Sequence, residues 1–320
     1  MKLIKPSYEF FEQGFEENDI YKQIEKVGRT CYKSEDKITN ESAKPFVDRM
    51  ISSKHYAMLE HGTVYLKVLL SNELVFEDAY GENNSVSAYG RYINNKYSKV
   101  NCREGLENVF ITDKVEHGYA YITTNLRVLV ENNWLDDLQY ICEPTEYHER
   151  RICVKFTCDR GVSHEFVRHR VFSFAQESTR YCNYSKDKFG NELTFIIPKW
   201  TCLNEGSYEK RINGIFFNNC IELDHHNTHD DSYDFADYLF YAEKTYKDCL
   251  NYGWVAQEAR AVLPNALKTE LVMTGFESDW KHFFDLRAYG VTGKPHPQAS
   301  ELAIPLLNEF ITKGYLHGRE

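Results

Sequence analysis

Two runs rich in β-branched and aromatic residues most constrain the fold of this 320-residue chain. They are TVYLKVLL at 63–70 and RICVKFTC at 151–158, and both compositions are typical of strands. Helical patterns lie over residues 40–60 and in AYITTNLRVLVENN, which belongs to the segment of about eighty residues between the two runs. We interpret residues 71–148 as an insertion between neighbouring strands.

Helices alternate with single strands along the second half of the chain. Asp159 is placed to cap a helix after the second run. FADYLFYAEKTYKDCLNYG predicts an amphipathic helix that ends at Gly253, and WVAQEARAVLP predicts a shorter one stopped by Pro264. LKTELVMTGF predicts a strand, whereas SDWKHFFDLRA and PQASELAIPLLNEFITKG predict helices. This order indicates an α+β fold of the mixed α/β kind, and the lack of repeats or a linker favours one domain over residues 1–320.

The composition narrows the functional classes. An apolar content of 42% predicts a buried core, and a net charge of −10 argues against an extended surface for nucleic acid or a membrane. The N-terminal residues lack the apolar run of a signal peptide, and no stretch reaches the length of a membrane-spanning helix, so we expect a cytoplasmic protein. Nine cysteines without CxxC spacing indicate reduced thiols.

Positive charge is concentrated in FVRHRVFSFAQESTRY, residues 166–181. The stretch brings together Arg168, His169, Arg170 and Arg180 with hydroxyl and aromatic side chains. Guanidinium groups bind phosphates and pyrimidine carbonyls in a forked geometry, and flat aromatic walls suit a nucleobase or a flavin ring. The stretch therefore predicts a nucleotide pocket, and the alternative that these residues only tie two helices together stays open.

Three other segments contain residue types that bind metals or phosphates. His164 and His169 are five residues apart, so their rings leave a helix on different sides and do not form a zinc pair. The segment HHNTHDD at 225–231 could bind a divalent ion, but such a loop is more often solvated. YGVTGKP at 289–295 matches neither a P-loop nor a dinucleotide-binding turn. We therefore predict no metal site and no phosphate loop.

Four motifs carry a resemblance to a known family. RHRVFSFAQESTRY resembles the RHR-x7-S motif of the flavin-dependent thymidylate synthases, with Ser178 as its last residue. LEHGTVYLKV at 59–68, EARAVLP at 258–264 and HFFDLRA at 282–288 resemble three further motifs of that family, in the same order. The resemblance implies a homotetramer whose chain folds as a twisted, mainly antiparallel sheet flanked by helices.

The resemblance also implies an activity. It is the reductive methylation of dUMP to dTMP, with methylenetetrahydrofolate as carbon donor, FAD as cofactor, NADPH as reductant and no enzyme nucleophile. Arg287 matches the catalytic position that polarises the uracil. The positions that match dUMP-binding residues are Glu165, Arg168, Gln176, Glu177, Ser178, Thr179, Arg180, Arg260 and Arg287. Those that match FAD-binding residues are His61, Thr63, Arg168, His169, Arg170, Gln176 and His282.

The chain departs from the family pattern at a few positions. Ala175 and Gln176 stand where Asn-Glu is usual, and Glu177 follows one place later, so either Gln176 or Glu177 makes the contacts between flavin and uracil. His282 stands where Asn is common, and GFES at 275–278 lacks the usual Asn-x-Arg. These departures leave an alternative function, a non-catalytic regulator that binds a nucleotide or a flavin.

Overall fold

Strands and helices are mixed along the whole chain. The computed structural model describes residues 1–69, 73–77, 83–87, 90–103, 119–186, 189–211, 214–217 and 231–317. The strands are β1 (Lys2–Ile4), β2 (Ser7–Phe10), β3 (Thr63–Leu69), β4 (Glu73–Glu77), β5 (Asn83–Ser87), β6 (Lys99–Arg103), β7 (Tyr119–Asn125), β8 (Arg151–Asp159), β9 (Ser173–Gln176), β10 (Thr194–Ile196), β11 (Gly206–Arg211), β12 (Gly214–Phe217) and β13 (Lys268–Phe276). The α-helices are α1 (Glu17–Tyr32), α2 (Ala43–Ser52), α3 (Gly90–Ile93), α4 (Leu126–Asn132), α5 (Arg160–Phe166), α6 (Asp231–Asn251), α7 (Ala256–Ala259), α8 (Glu277–Arg287) and α9 (Pro297–Thr312).

The sheet that carries the site has the antiparallel order β2-β8-β13-β9. Strand β13 lies in its interior and is almost wholly buried, and its central residues Leu271, Val272 and Met273 are apolar. Side chains alternate along it: Leu271 and Met273 pack with α5, α8 and α9, whereas Val272 packs with α1 and α2. Helices therefore cover both faces of this sheet.

Three further groups of strands are present among the described residues. β3, β7 and β6 form an antiparallel sheet, and β4 and β5 form a two-stranded antiparallel sheet. β1 pairs in parallel with β10 and antiparallel with β11, which pairs with β12. The predicted α+β class is confirmed, because the strands pair mainly antiparallel and helices flank them.

The two strands predicted at 63–70 and 151–158 are present as β3 and β8, but they belong to different sheets. The prediction that they are neighbours is wrong, because β3 pairs instead with β7. The first half of AYITTNLRVLVENN is a strand, not a helix, and only Leu126–Asn132 is helical. Its Ile122, Thr123 and Thr124 are β-branched and buried, which suits a paired strand better than a helix.

Most of the helix predictions in the second half are confirmed. Asp159 caps α5 by accepting a hydrogen bond of 2.8 Å from the backbone N–H of Val162. Helix α6 ends shortly before Gly253, whose φ of +93° is in the region that favours glycine. In the first half, the pattern at 40–60 corresponds to α2 and a 3-10 helix, Tyr56–His61. No helix in the described ranges is long and apolar enough to cross a membrane.

Helix α8 connects the central sheet to the predicted site. The backbone N–H of Phe276 donates to Asp279 Oδ2 at 3.0 Å, so the helix begins directly where β13 ends. Trp280 and Phe284 are buried against α9, and Trp280 Nε1 donates to the carbonyl of Ile152 on β8 at 3.1 Å. This packing fixes the helix axis and brings Arg287, its last residue, beside α5.

Candidate active site

The RHR residues lie in a series of turns between α5 and β9. The backbone N–H of His169 donates to the carbonyl of Phe166, and that of Phe172 donates to the carbonyl of His169, both at 3.1 Å. Phe166, His169 and Phe172 are buried, whereas Arg168 and Arg170 are exposed. The buried rings therefore anchor the turns and leave both guanidinium groups at the surface.

The imidazole of His169 is packed between aromatic side chains. Its ring centroid lies 5.1 Å from that of Phe283, 6.0 Å from that of His282 and 6.3 Å from that of Phe172. Burial, together with the positive charge of Arg287, lowers the pKa of His169 to about 4. The side chain is therefore neutral at physiological pH.

Arg287 is held by α5 and by the RHR turn. Its Nη1 donates to Glu165 Oε2 at 2.5 Å, its Nη2 donates to the backbone carbonyl of Glu165 at 3.0 Å, and its Nε donates to His169 Nε2 at 3.2 Å. Burial lowers the pKa of Arg287, and the carboxylate of Glu165 opposes that shift. The guanidinium is thus fixed in orientation before any ligand binds.

These residues line one groove of about 720 Å³. This volume lies within the range of small-molecule sites in proteins. Among the described residues that line the groove, Glu165 is the one carboxylate. The lining residues are Glu165, Arg168, His169, Arg170, Val171, His282, Leu286, Arg287, Thr292, Gly293, Lys294, Pro295 and His296.

Gln176 and Glu177 point to different surroundings. Gln176 is half-buried at the end of β9, and its Nε2 donates to Ser163 Oγ at 2.9 Å and to Thr269 Oγ1 at 3.2 Å. Glu177 is buried, and its carboxylate accepts hydrogen bonds from Lys268 Nζ at 2.8 Å and from the hydroxyl of Tyr184 at 2.9 Å. The carboxylate of Glu177 is thus engaged inside the protein.

The Glu177 ion pair belongs to a larger buried charge network. Lys268 also contacts Glu270 at 2.7 Å, and Glu270 contacts Lys33 at 2.8 Å. Burial alone would raise the pKa of Glu270, but Lys268 and Lys33 outweigh that effect and lower it to about 2. The backbone N–H of Glu177 donates to the carbonyl of Glu270 at 2.8 Å, so the network and the sheet together hold the end of β9.

The last residues of the motif lie beyond β9. The backbone N–H of Ser178 donates to the carbonyl of Cys31 at 2.9 Å, which ties the turn to α1. Thr179 is buried, and its Oγ1 accepts a hydrogen bond of 3.3 Å from Arg260 Nη1. The structure thus joins the predicted motif around Arg260 to the motif that contains Ser178. Arg180 is exposed.

His61 and Thr63 line a separate cavity of about 180 Å³. Nδ1 of His61 lies 2.8 Å from Thr274 Oγ1, and burial together with Arg151 lowers the pKa of His61 to about 3. Gln13 fixes the backbone of Thr63 from both sides, accepting from its N–H at 2.9 Å and donating to its carbonyl at 2.7 Å. This cavity and the groove share no lining residue.

Most of the predicted site residues therefore fall into three groups, and Gln176 and Glu177 line neither the groove nor the cavity. The first group lines the groove. The second is at the turn where Thr179 contacts Arg260, and the third, His61 with Thr63, lines the separate cavity. Neither Thr179 nor Arg260 lines the groove.

The sequence patterns missed several residues that line the two cavities. Arg150 and Arg151 lie beside His61, where the only sequence signal was two adjacent arginines at the start of a strand. Thr292, Gly293 and Lys294 line the groove, although their segment matches no phosphate-binding motif.

Two segments of the sequence contain candidate metal ligands. In the described part of the chain, no group of three or more His, Cys, Asp or Glu side chains is arranged to hold a metal ion. The segment HHNTHDD lies outside the described residues except for its last position, whose side chain is not described. In the segment that contains His164 and His169, Nε2 of His169 accepts a hydrogen bond from Nε of Arg287.

The sequence is similar to one protein family over half of its length. Residues 145–313 match the family model described as "Thymidylate synthase complementing protein". Three relatives are named flavin-dependent thymidylate synthase: those of Pyrococcus furiosus (29% identity over 130 residues), Thermococcus onnurineus (33% over 131) and Corynebacterium glutamicum (31% over 133). The matches cover 41%, 41% and 40% of this chain and 43%, 43% and 46% of the relatives, respectively. The chain thus spans less than half the length of these relatives.

A solved structure also aligns with the chain. It is the UMP/dUMP methylase PolB from Streptomyces cacaoi bound with 5-Br dUMP, and the alignment covers 98% of this chain and 93% of that one. The TM-score is 0.40 and the sequence identity is 14%.

Proposed function

Because the chain belongs to the thymidylate synthase complementing protein family, we propose that it is a methyltransferase that converts dUMP to dTMP. The carbon donor is methylenetetrahydrofolate, the cofactor is FAD and the reductant is NADPH. The functional unit is a homotetramer of single-domain chains. The names of the similar proteins, which include "flavin-dependent thymidylate synthase", support this assignment.

The observation that carries the proposal is the charge of the groove. Arg168, Arg170 and Arg287 line it, and the carboxylate of Glu165 is already bonded to Arg287. The groove is therefore positive in a chain whose net charge is −10. Such a site concentrates anionic ligands of nucleotide size.

The residues of the groove fit FAD. The exposed guanidinium groups of Arg168 and Arg170 would hold its phosphates, and the imidazoles of His169 and His282 would border its rings. When bound, FAD supplies the hydride that no amino-acid side chain can donate. The protein contributes binding, orientation and the exclusion of water.

Arg287 is the proposed catalytic residue. Glu165 and His169 occupy three of its N–H groups, and a guanidinium carries five, so two remain for a pyrimidine carbonyl or ring nitrogen. A fixed positive charge next to the pyrimidine stabilises the negative charge that develops on the ring as C5 becomes nucleophilic. No step in this scheme requires a nucleophile from the protein.

Gln176, not Glu177, is the proposed contact between flavin and uracil. The carboxylate of Glu177 is committed to Lys268 and Tyr184, whereas the amide of Gln176 is half-buried and its carbonyl oxygen can still accept a hydrogen bond. Ser178, Thr179, Arg180 and Arg260 are proposed to bind dUMP. The proposed tetramer accounts for the separation of the three groups, since residues of different chains would complete one site.

The decisive experiment measures release of tritium from C5 of labelled dUMP. We expect release from the FAD-loaded protein only when NADPH and methylenetetrahydrofolate are both present. Replacing NADPH with NADH tests the choice of reductant. A preparation that binds FAD and dUMP but releases no tritium would show that the protein is a binding protein, as in the regulator alternative.

A further inference from the structure

A tight loop between α8 and α9 forms one wall of the groove. The backbone N–H of Tyr289 donates to the carbonyl of Phe284, and that of Val291 donates to the carbonyl of Asp285, both at 3.0 Å. These bonds attach the loop to the end of α8. The N–H of Gly293 then donates to the carbonyl of Gly290, also at 3.0 Å, which closes a turn.

Two glycines make this turn possible. Gly290 has φ +67° and Gly293 has φ +137°, both in the region that favours glycine. A Cβ on Gly290 would lie 2.8 Å from Cδ of Pro295 and 2.9 Å from the carbonyl oxygen of Gly293. The loop therefore holds the next residue, Lys294, at the groove in a defined backbone conformation.

The loop adds a cation to a groove that already has an excess of them. Lys294 joins Arg168, Arg170 and Arg287, while Glu165 remains the only carboxylate in the described lining. Thr292 adds a hydroxyl. A lysine ammonium and a hydroxyl are groups that bind phosphate.

We propose that the segment Thr292-Gly293-Lys294 binds a phosphate group of the ligand in the groove, with Lys294 as its main contact. This inference rests on the proposed function. The phosphate belongs either to the dUMP monophosphate or to the FAD diphosphate, and binding measurements distinguish the two. Neither assignment requires turnover to be measured.

The test compares Lys294→Gln and Lys294→Arg with Lys281→Gln. Lys281 is an exposed residue of α8 that does not line the groove. Lys281→Gln therefore makes the same change in net charge as Lys294→Gln but leaves the groove unaltered. Equilibrium dissociation constants are measured for FAD and riboflavin, and for dUMP and deoxyuridine. Unfolding midpoints are measured in parallel and should not change, because both lysines are exposed.

Lys294→Gln should weaken binding of one phosphate-bearing ligand about tenfold, the effect of losing one charge-assisted hydrogen bond. Binding of the matching phosphate-free ligand should not change, and Lys294→Arg should stay within about threefold of wild type because it keeps the charge. The difference between wild type and Lys294→Gln should shrink at high ionic strength. Loss confined to FAD assigns the diphosphate, and loss confined to dUMP assigns the monophosphate.

Three results would overturn the inference: unchanged binding of FAD and dUMP by Lys294→Gln, equal weakening of the phosphate-free ligands, or equal weakening by Lys281→Gln. A wild-type protein that binds FAD or dUMP without releasing tritium refutes the proposed activity and leaves this comparison valid. A wild-type protein that binds neither ligand refutes both.

Discussion

Nε of Arg287 donates a hydrogen bond to Nε2 of His169 across 3.2 Å. A nitrogen that accepts cannot carry a proton, so the imidazole is neutral and its proton is on Nδ1. Protonation of Nε2 would replace this bond with repulsion between two cations. The depressed pKa of His169, about 4, agrees with this geometry and has burial as its largest cause. The pair thus couples the orientation of the Arg287 guanidinium to the protonation state of the RHR histidine.

The first prediction concerns stability in acid. The pKa of His169 is about 4 in the folded protein and 6.5 in the unfolded one, so the unfolded state binds the proton first as pH falls. The contribution of His169 is therefore complete above pH 6.5 and declines as pH falls from 6.5 towards 4. Between pH 6.5 and pH 4, we expect wild type to lose roughly 2 kcal/mol more unfolding free energy than His169→Asn. Urea unfolding at several pH values measures this loss.

His164 provides the matched control, because it is an exposed histidine on α5. His164→Asn should have the same pH dependence as wild type. His61 is also buried and neutral, so a residual decline should remain in His169→Asn. Parallel curves for wild type and His169→Asn would show that His169 does not contribute.

The second prediction separates charge from geometry at Arg287. Lysine keeps the positive charge but cannot contact Glu165 and His169 together, because it lacks the planar fork. We expect Arg287→Lys to lower the rate of tritium release by about 100-fold or more, the effect of losing one oriented donor. Bound flavin, measured by absorbance, should fall much less. Equal losses of flavin and of activity would indicate a structural role.

The third prediction tests the buried pair of Glu177 and Lys268. Glu177→Gln removes one of the two carboxylates that pair with the ammonium of Lys268, so we expect a loss of about 3 kcal/mol in unfolding free energy. Lys268 retains Glu270, which limits the loss. The double variant Glu177→Gln with Lys268→Met should be less destabilised than the two single effects added together, as measured by urea unfolding. Additive effects would mean that the two side chains do not interact.

Sequence patterns predicted the local elements of this chain better than their pairing. Asp159 was recognised as a cap because a cap depends on residues three apart, and the hydrogen bond to Val162 confirms it. The partner of β3 was missed because strand pairing depends on contacts distant in sequence.

The same limit explains what was missed at the candidate site. The RHR motif was recognised by spacing, whereas Lys294 reaches the groove only through the packing of α8 and α9. The engagement of Glu177 could not be inferred either, because Lys268 is ninety-one positions away.

The fourth prediction concerns the unusual Gln176. Its amide donates to the hydroxyls of Ser163 and Thr269, and both hydroxyls can rotate to donate to a carboxylate, although that of Ser163 would give up its bond to the carbonyl of Arg160. We therefore expect Gln176→Glu to change the unfolding free energy by only about 1 kcal/mol. Gln176→Leu removes both bonds and should weaken dUMP binding, measured by calorimetry, while Gln176→Glu retains it. Equal dUMP affinity in wild type and Gln176→Leu would exclude Gln176 from the substrate site.

The last prediction uses Glu277, the first residue of α8. Burial, reinforced by Glu149 and opposed by Arg150, raises its pKa from 4.5 to about 7. The folded protein therefore holds a proton that the unfolded chain releases, so the contribution of Glu277 is complete below pH 4.5 and is lost as pH rises through 7. Glu277→Gln should match wild type at pH 4 and exceed its unfolding free energy at pH 8.5. We expect a gain of only roughly 1 kcal/mol, because the carboxyl is partly solvated and its charge favours the helix N-terminus.

Glu146 is an exposed glutamate on the loop before β8, and Glu146→Gln is the matched control. It should have no such pH dependence, since its carboxylate is exposed in both states. If Glu277→Gln and Glu146→Gln give the same difference from wild type at pH 8.5, the general reduction of negative charge explains the gain. A gain found only in Glu277→Gln and only above pH 7 identifies the half-buried carboxyl at the start of α8 as its source.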